Sequence, residues 1–439
     1  MEIIKKPQPV DFSEFAPDNS NPRTMWGLPQ EIKYCKKCGY INQKPNSAQE
    51  YKHTRDIKKE TLPFNEEGVC IACVHNASKH QSINWDEREK MLWEVCDRYR
   101  SKDGSYDCLV PGSGGKDSFY TAYELKYKFG MHPLTVTWAP HIYTDWGWDN
   151  LRAWIHSGFD NYLFNPNGKV HRLLTRLATE NLFHPFQPFI LGQFYFPVKM
   201  AMKFNIQLLF YGENAAEYGN SLDENSTALK SWKYLSTEDP SQVYLGGVSI
   251  SDLKKDFGMT SGDIAPYMPP NLDELLEKKI EVHHLGYYLK WHPQSNYYFA
   301  VENSGFKAAP ERTPGTYSKY AGIDDKIDDF NFYTLHVKFG IGRATYDASQ
   351  EVRMGDIERD EAIALIRRYD GEYPERFAEE IFEYLSLPEK DFPIPSKMFE
   401  SPLVDRAYFE ALTNQFRSPH LWKYEDGQWR LRLSIWEQK

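Results

Sequence analysis

The sequence predicts an α/β protein built on a parallel sheet, with a zinc knuckle ahead of the sheet and a mostly helical extension behind it. Apolar strand segments alternate with helical ones from residue 108 to residue 211, a glycine-rich loop joins the first strand to the helix after it, and two Cys-x2-Cys pairs precede both. Strands separated by helices pair in parallel and are covered on both faces.

With 439 residues the chain suits two or three domains. The expected divisions are an arm at 1–32, a zinc-binding module at 33–82, the sheet domain at 83–220, an insertion or lid at 221–303 and a C-terminal substrate and interaction region at 304–439. Aromatic residues make up 15% of the chain, with 29 tyrosines and 12 tryptophans, enough to fill sizeable cores and to line a sugar or nucleotide pocket. A formal charge of −10 argues against a surface that tracks nucleic acid, which needs clustered Lys and Arg. No apolar run approaches the roughly 18 to 20 residues that span a bilayer. Met1-Glu-Ile-Ile-Lys-Lys leads into a polar, proline-containing arm rather than a secretory signal, so a cytoplasmic location without membrane insertion is expected.

Four of the six cysteines form Cys35-x2-Cys38 and, after 31 residues, Cys70-x2-Cys73. Each pair offers two thiolates to one ion, and four thiolates close a tetrahedral shell, so these cysteines predict structural rather than catalytic zinc. His75 and His80 lie close enough in sequence to replace a ligand. Cys96 falls on a helix predicted over Trp85 to Tyr99, where Met91, Leu92, Val95 and Cys96 recur at helical spacing, and Cys108 sits in the first strand; both read as core thiols. Neither lies in a G-x-C-x-G elbow and residue 2 is Glu, so no glutaminase nucleophile is apparent and ammonia must come from elsewhere.

The first strand runs into Ser113-Gly114-Gly115-Lys116-Asp117-Ser118, and a helix is predicted from Phe119 to Lys128. Glycines let backbone N–H groups converge, and the helix adds its positive end, so the turn is built to hold an anion. It is not a Walker loop, which would need glycine at 110 and a hydroxyl at 117, where Val110 and Asp117 stand. Further strands and helices are predicted at Pro133 to Trp138, Trp146 to Ser157, Phe159 to Phe164, Lys169 to Phe183, Leu191 to Phe204 and Ile206 to Tyr211. Ligands of such sheets sit at the carboxyl ends of the strands. One rim therefore gathers the loop, Thr137-Trp138, Asn165 to Asn167 and Gly212-Glu213-Asn214. Glu213 is the carboxylate best placed there for Mg²⁺ or for the acceptor. From Ser221 to Asn303 the alternation fades, leaving a helical segment at Leu272 to Lys279 and an aromatic one at Tyr287 to Phe299. In Asp324 to Asp329, paired acids share a helix face, which fits either metal binding or helix capping. Lys338, Arg343 and Arg353 lie in or near the stretch Lys-Phe-Gly-Ile-Gly-Arg-Ala-Thr and suit a phosphate or a sugar carboxylate as well as they suit an ordinary surface.

Ser-Gly-Gly-Lys-Asp-Ser resembles the PP-loop of the ATP pyrophosphatases, also called adenine nucleotide alpha hydrolase-like proteins. That resemblance implies a loop that holds the β,γ-diphosphate as leaving group and exposes the α-phosphate, with adenine along the Thr137-Trp138 backbone. The order of segments is similar to that of the N-acetyl sugar amidotransferases. The matching stretches are Tyr34 to Cys38, Glu67 to Cys73, Ile83 to Glu89, the loop, Tyr211 to Asn214, Gly315 to Tyr320, Asp324 to Asp329, Lys338 to Thr345, Leu421 to Lys423 and Gly427 to Trp429. The likeness runs from about residue 33 to residue 431; Gly112 departs from it, a β-branched residue being usual there.

This resemblance implies that an acetamido oxygen is adenylated and then displaced by ammonia, giving an acetamidino sugar of a surface polysaccharide or nonulosonic acid. Implied cofactors are ATP, Mg²⁺ and structural Zn²⁺. Implied partners are an N-acetylated sugar, nucleotide-linked or nonulosonic, and glutaminase and cyclase-like subunits that supply ammonia, with the zinc module as their docking surface. Ser113, Gly114, Gly115, Lys116, Asp117, Ser118 and Gly212 would bind the nucleotide; Lys116, Asp117, Glu213, Lys338 and Arg343 would serve the reaction. Two alternatives stay open at this point: a tRNA-modifying PP-loop ATPase, disfavoured by net acidity and by the lack of three spare cysteines for an iron–sulfur cluster, and a non-catalytic ATP-binding scaffold.

Overall fold

The computed structural model describes residues 7–220, 227–387 and 403–438. The start of the expected arm, the first six residues of the expected insertion and residues 388–402 of the C-terminal region lie outside the described residues.

Strand β1 (Cys108–Pro111) occupies the middle of a five-stranded sheet. On one side lie β2 (Pro133–Trp138) and the edge strand β3 (Asn161–Phe164), and on the other β4 (Leu208–Tyr211). All pair in parallel, with Val110 opposite Thr135, Val136 opposite Tyr162 and Leu109 opposite Leu209. Side chains alternate across a strand, so Cys108 and Val110 join Leu92, Phe119, Trp154 and Phe210 beneath one face. Leu109 joins Leu134, Val136, Val198 and Leu209 on the other. Burial on both faces is why β1 reads as an apolar run; in β2 the alternating Thr135 and Thr137 are buried as well, their hydroxyls bonded to the Asp160 carbonyl and the Asn161 amide.

Helices α1 (Ile71–Gln81), α2 (Trp85–Tyr99), α3 (Lys116–Tyr123), α4 (Asp145–His156), α5 (Gly168–Leu182) and α6 (Gln187–Phe204) precede or connect these strands. Their starts follow local chemistry. Asn84 accepts from the Glu87 N–H, Thr144 from Gly147 and Asn167 from Lys169, each satisfying a donor at the open end of its helix. α3 begins three residues earlier than Phe119 and passes into a π turn at Glu124–Lys128.

The stretch expected as an insertion contributes to the sheet. After a small hairpin of β5 (Tyr244–Leu245) and β6 (Val248–Ser249), strand β7 (Glu281–His284) pairs in parallel with β4, Leu209 facing Val282, and forms the second edge. The helix expected to end at Lys279 ends at Glu277. Helix Pro293–Ser304, formed partly from the aromatic segment, packs on α3.

The C-terminal region is helical, with helices at Asp328–Phe339, Arg343–Met354, Arg359–Tyr369, Ala378–Leu385 and Arg406–Gln415, closed by the hairpin β8 (Trp422–Glu425) and β9 (Gln428–Leu431). It shares one core with the cysteine module: Cys35, Cys38, Tyr40 and Cys70 pack among Phe330, Val337, Phe339, Leu421 and Ile435. Among the described residues, no helix is long and apolar enough to cross a membrane.

Candidate functional site

The Ser113–Ser118 loop leaves the carboxyl end of β1 and forms the floor of a cavity of about 400 Å³. Two glycines set its shape. Gly114 has φ +85°, and a Cβ there would lie 2.6 Å from the Leu151 Cα, so the chain passes hard against α4. A Cβ at Gly112 would lie 2.2 Å from the Ser118 Cβ and 2.9 Å from Trp154 Cη2, so the backbone here leaves no room for a side chain. Gly115 precedes α3 and gives it no side-chain cap, while Ser118 turns its hydroxyl back to the Gly115 carbonyl, 3.0 Å away. The first-turn N–H groups of α3 are therefore left to a ligand.

Charge is arranged around that floor. Ser113, Gly115, Lys116, Asp117, Ser118, Gly212 and Glu213 all line the cavity. Lys116, itself buried, pairs with the adjacent Asp117 carboxylate and lies 6.0 Å from the Tyr320 ring centre. The Asn296 amide holds the other Asp117 oxygen at 3.2 Å. Glu213 accepts a 3.0 Å bond from the Tyr218 hydroxyl, and burial together with the nearby Asp117 charge raises its pKa. Burial also raises Asp324, against a hydrogen bond from Ser113. Three carboxylates thus surround a turn that offers backbone donors, a donor set for Mg²⁺ shared with phosphate oxygens. They do not close on one point: no three carboxylates in this cavity come within 4.8 Å of one another among the described residues. A metal ion here would take one or two of them and complete its shell from the ligand.

The remaining acids of the 324–329 run serve the fold. Asp325 accepts from the His141 backbone and ring, each at 2.7 Å; Asp328 faces Arg343 at 3.3 Å; Asp329 meets Arg376 at 2.8 Å. Arg343 is buried, also reaches Asp347 at 3.5 Å, and donates to the Ala321 carbonyl at 2.7 Å. It braces the Ala321-Gly322 wall from behind and is not part of the lining.

Lys338 lies outside the cavity. It is buried in the C-terminal core, donating to the Leu182 carbonyl at 2.6 Å over the Trp26 ring. Thr137 and Trp138 are buried as well: Trp138 packs on Phe164 and Tyr267, the Thr137 hydroxyl accepts from Asn161, and neither lines the cavity. Arg353 faces the cysteines, with Nη1 3.5 Å from Cys38 Sγ and Nη2 3.2 Å from the Glu217 carbonyl.

The four cysteine sulfurs converge within 4.8 Å of one another. Cys35 and Cys73 are 3.8 Å apart, and Cys38 and Cys70 are 3.6 Å apart. Zinc–sulfur bonds of about 2.3 Å in a tetrahedron require sulfurs about 3.8 Å apart, so the geometry fits zinc. His75 and His80 are not members of this group; His75 instead lies 4.0 Å from Glu217. A second group, Glu50, His53 and His184, also converges, but the Lys59 ammonium rests on His53 Nε2, which makes it an internal ion network. All four cysteines are buried. The module is tied to the sheet by Lys79 of α1, which pairs with Glu217 at 2.6 Å and donates to the Trp291 carbonyl at 2.6 Å.

Sequence reasoning did not single out Asn296, Lys230 or His284. They come from the part without clear alternation, and no local pattern marks them; Tyr320 falls in the Gly315 to Tyr320 stretch, where no role attaches to it. Two comparisons bear on what this site belongs to. Residues 314–434 match the family described as LPS biosynthesis protein WbpG-like, C-terminal domain. That match supports a place in surface-polysaccharide biosynthesis, and the matched stretch supplies Tyr320 to Asp324 of the cavity wall. An uncharacterized protein of Methanocaldococcus jannaschii, MJ1599, is 30% identical over 84 residues, which is 19% of this chain and 29% of that protein. The chain therefore spans less than a third of that relative's length.

Proposed function

We propose that the protein is an ATP-dependent amidotransferase that adenylates the acetamido oxygen of an N-acetyl sugar and replaces it with nitrogen from ammonia. The observation that carries this reading is the uncapped start of α3 on a glycine turn, with Lys116, Asp117 and Glu213 around it. ATP with Mg²⁺ supplies an activated phosphorus and a diphosphate leaving group. The loop N–H groups and Lys116 hold the charge that develops as diphosphate departs, an electrostatic role that needs little reorganisation. Asp117 and Glu213 would hold Mg²⁺ together with phosphate oxygens, and Asp324 lines the same cavity. Tyr320 and the Ala321-Gly322 segment form part of the cavity wall.

In this reading Arg343 supports the wall and Lys338 supports the core, and the loop, with a bound Mg²⁺, would meet the α-phosphate. The match to an LPS biosynthesis domain supports a glycan as acceptor. Ammonia would come from glutaminase and cyclase-like partners in the cytoplasm. Incubation with Mg·ATP, ammonium and a panel of UDP-linked and free acetamido sugars, followed by mass spectrometry, tests this reading. Replacement of one oxygen by NH is expected; an unchanged panel, with active protein and ammonia present, would defeat it.

A further inference from the structure

A small crevice, of about 40 Å³, lies beside the loop cavity and shares Lys116, Tyr320 and Ala321 with it, so these three residues form the partition between the two. Most of its remaining wall comes from the start of helix Pro293–Ser304, from helix Arg343–Met354 and from Asp356 after it. That volume holds a few molecules of water's size, which need at least about 10–15 Å³ each. It is far too small for a sugar or a nucleotide, since organic ligands take sites of about 300 Å³ or more.

Three carboxylates line the crevice: Asp347, Glu351 and Asp356. Each gives one oxygen to the fold. Asp347 Oδ2 accepts from the Thr316 hydroxyl at 2.6 Å, Glu351 Oε2 accepts from the Tyr317 hydroxyl at 2.7 Å, and Asp356 Oδ1 lies 3.3 Å from His292. The second oxygen of each has no partner among the described residues, and those of Asp347 and Glu351 are not sealed from solvent. The three do not converge within 4.8 Å of one another among the described residues, so they form an acidic lining rather than a metal site. At the partition the charge reverses, because Lys116 stands there, paired with Asp117. Burial raises the Glu351 carboxyl to about 7, against the bond from Tyr317.

We propose that this crevice is the ammonia entry of the loop cavity, with Glu351 as the residue that takes a proton from ammonium. This rests on the amidotransferase reading, in which nitrogen must reach an acetamido carbon activated beside the loop. Of the reactants only ammonium is small enough for the crevice, and an acidic lining favours a cation over water. Ammonium has no free electron pair, so one N–H bond breaks: the proton passes to the Glu351 carboxylate and the pair stays on nitrogen, free to attack. A carboxylate near 7 suits that transfer. Neutral ammonia then passes the Lys116 charge, which repels ammonium, and the proton on Glu351 returns to water at the mouth.

The test separates activation from nitrogen transfer in wild type, Glu351→Gln and Gln294→Trp, the last placing a bulky ring in the crevice wall. Exchange of labelled diphosphate into ATP, with the sugar and Mg²⁺ but no ammonium, reports activation; amidino-sugar formation against ammonium concentration reports transfer. Glu351→Gln, which can still accept from Tyr317, should raise KM for ammonium by roughly tenfold or more, the loss of a hydrogen bond to a charged group. Gln294→Trp should slow transfer at every ammonium concentration. Both variants should keep the exchange rate of wild type. A normal KM for ammonium in Glu351→Gln together with unhindered transfer in Gln294→Trp would overturn the inference, as would exchange that falls in step with transfer; the amidotransferase reading would stand in either case. Should Glu351→Gln fail to fold, Gln294→Trp decides. If wild type shows neither exchange nor an amidino product with any sugar of the panel, the reading itself falls and this inference with it.

Discussion

Lys79→Met should unhinge the cysteine module from the sheet. The Lys79 and Glu217 side chains are 1% and 2% exposed and their charged atoms are 2.6 Å apart. The Lys79 ammonium also touches Met354 Sδ at 3.6 Å, so a methionine side chain meets a neighbour of its own kind. The substitution therefore costs little in packing but leaves a carboxylate buried beside apolar groups. Removing one partner of a buried pair costs about 3–5 kcal/mol, a large share of a typical stability of about 5–15 kcal/mol. Lys79→Met/Glu217→Gln, which removes the stranded charge as well, should recover much of the loss. Urea unfolding of wild type, both single variants and the double variant gives the comparison from midpoints at matched slopes. A loss in Lys79→Met below about 1 kcal/mol, the range of exposed pairs, would refute the argument, as would a double variant no more stable than Lys79→Met. Besides Arg353, which stays charged, His75 lies 4.0 Å from Glu217, so the deficit should shrink in acid as that ring takes a proton.

Three further outcomes are expected. Purified protein should carry a single zinc per chain by elemental analysis, and Cys70→Ser should lose both the metal and a substantial part of thermal stability, since the thiols belong to the C-terminal core; a metal-free protein of unchanged stability would count against the assignment. Burial raises the Asp328 carboxyl to about 7, against the opposing pull of Arg343. A carboxyl whose folded pKa exceeds its unfolded value stabilises the fold below about pH 3.9 and loses that contribution as pH rises through about 7. Asp328→Asn, neutral throughout, should thus gain on wild type as pH is raised across that window, and a pH-independent gap in unfolding midpoints would contradict the assignment. Lys338→Met should lower stability yet leave sugar-dependent diphosphate release per folded molecule intact; a fall in kcat in a soundly folded variant would return Lys338 to the reaction.

Much of the scaffold is legible in the chain because its signals are local. β2 and α2 fall at the expected residues: a short run of apolar and β-branched residues between turn residues marks a buried strand, and a helical apolar spacing behind Asn84 marks a capped helix. The cysteine cluster is legible for the same reason, since a chelating pair is a short-range pattern. β7 is not, because Glu-Val-His-His holds a single aliphatic residue and its two buried histidines look polar. Lys338 and Arg343 mislead in the opposite direction. Beside Gly340 and Gly342 they resemble an anion grip, but these glycines end one helix and start the next. Lys338 turns inward to Leu182 and Trp26, which lie far away in sequence, and Arg343 to Asp328 and Phe332 on the preceding helix, a pairing set by how the two helices pack. The carboxylates around the loop divide likewise: Asp117 and Glu213 follow from the strand-end rule, while choosing Asp324 over Asp325, Asp328 and Asp329 requires knowing where Arg343, Arg376 and His141 sit.

In the proposed reaction the acetamido oxygen attacks the α-phosphorus and leaves on the nucleotide. Labelling that oxygen with oxygen-18 and examining the spent nucleotide by mass spectrometry tests it most directly. AMP carrying the label is expected, together with unlabelled diphosphate. Label retained in the sugar, or ADP as the nucleotide product, would contradict it.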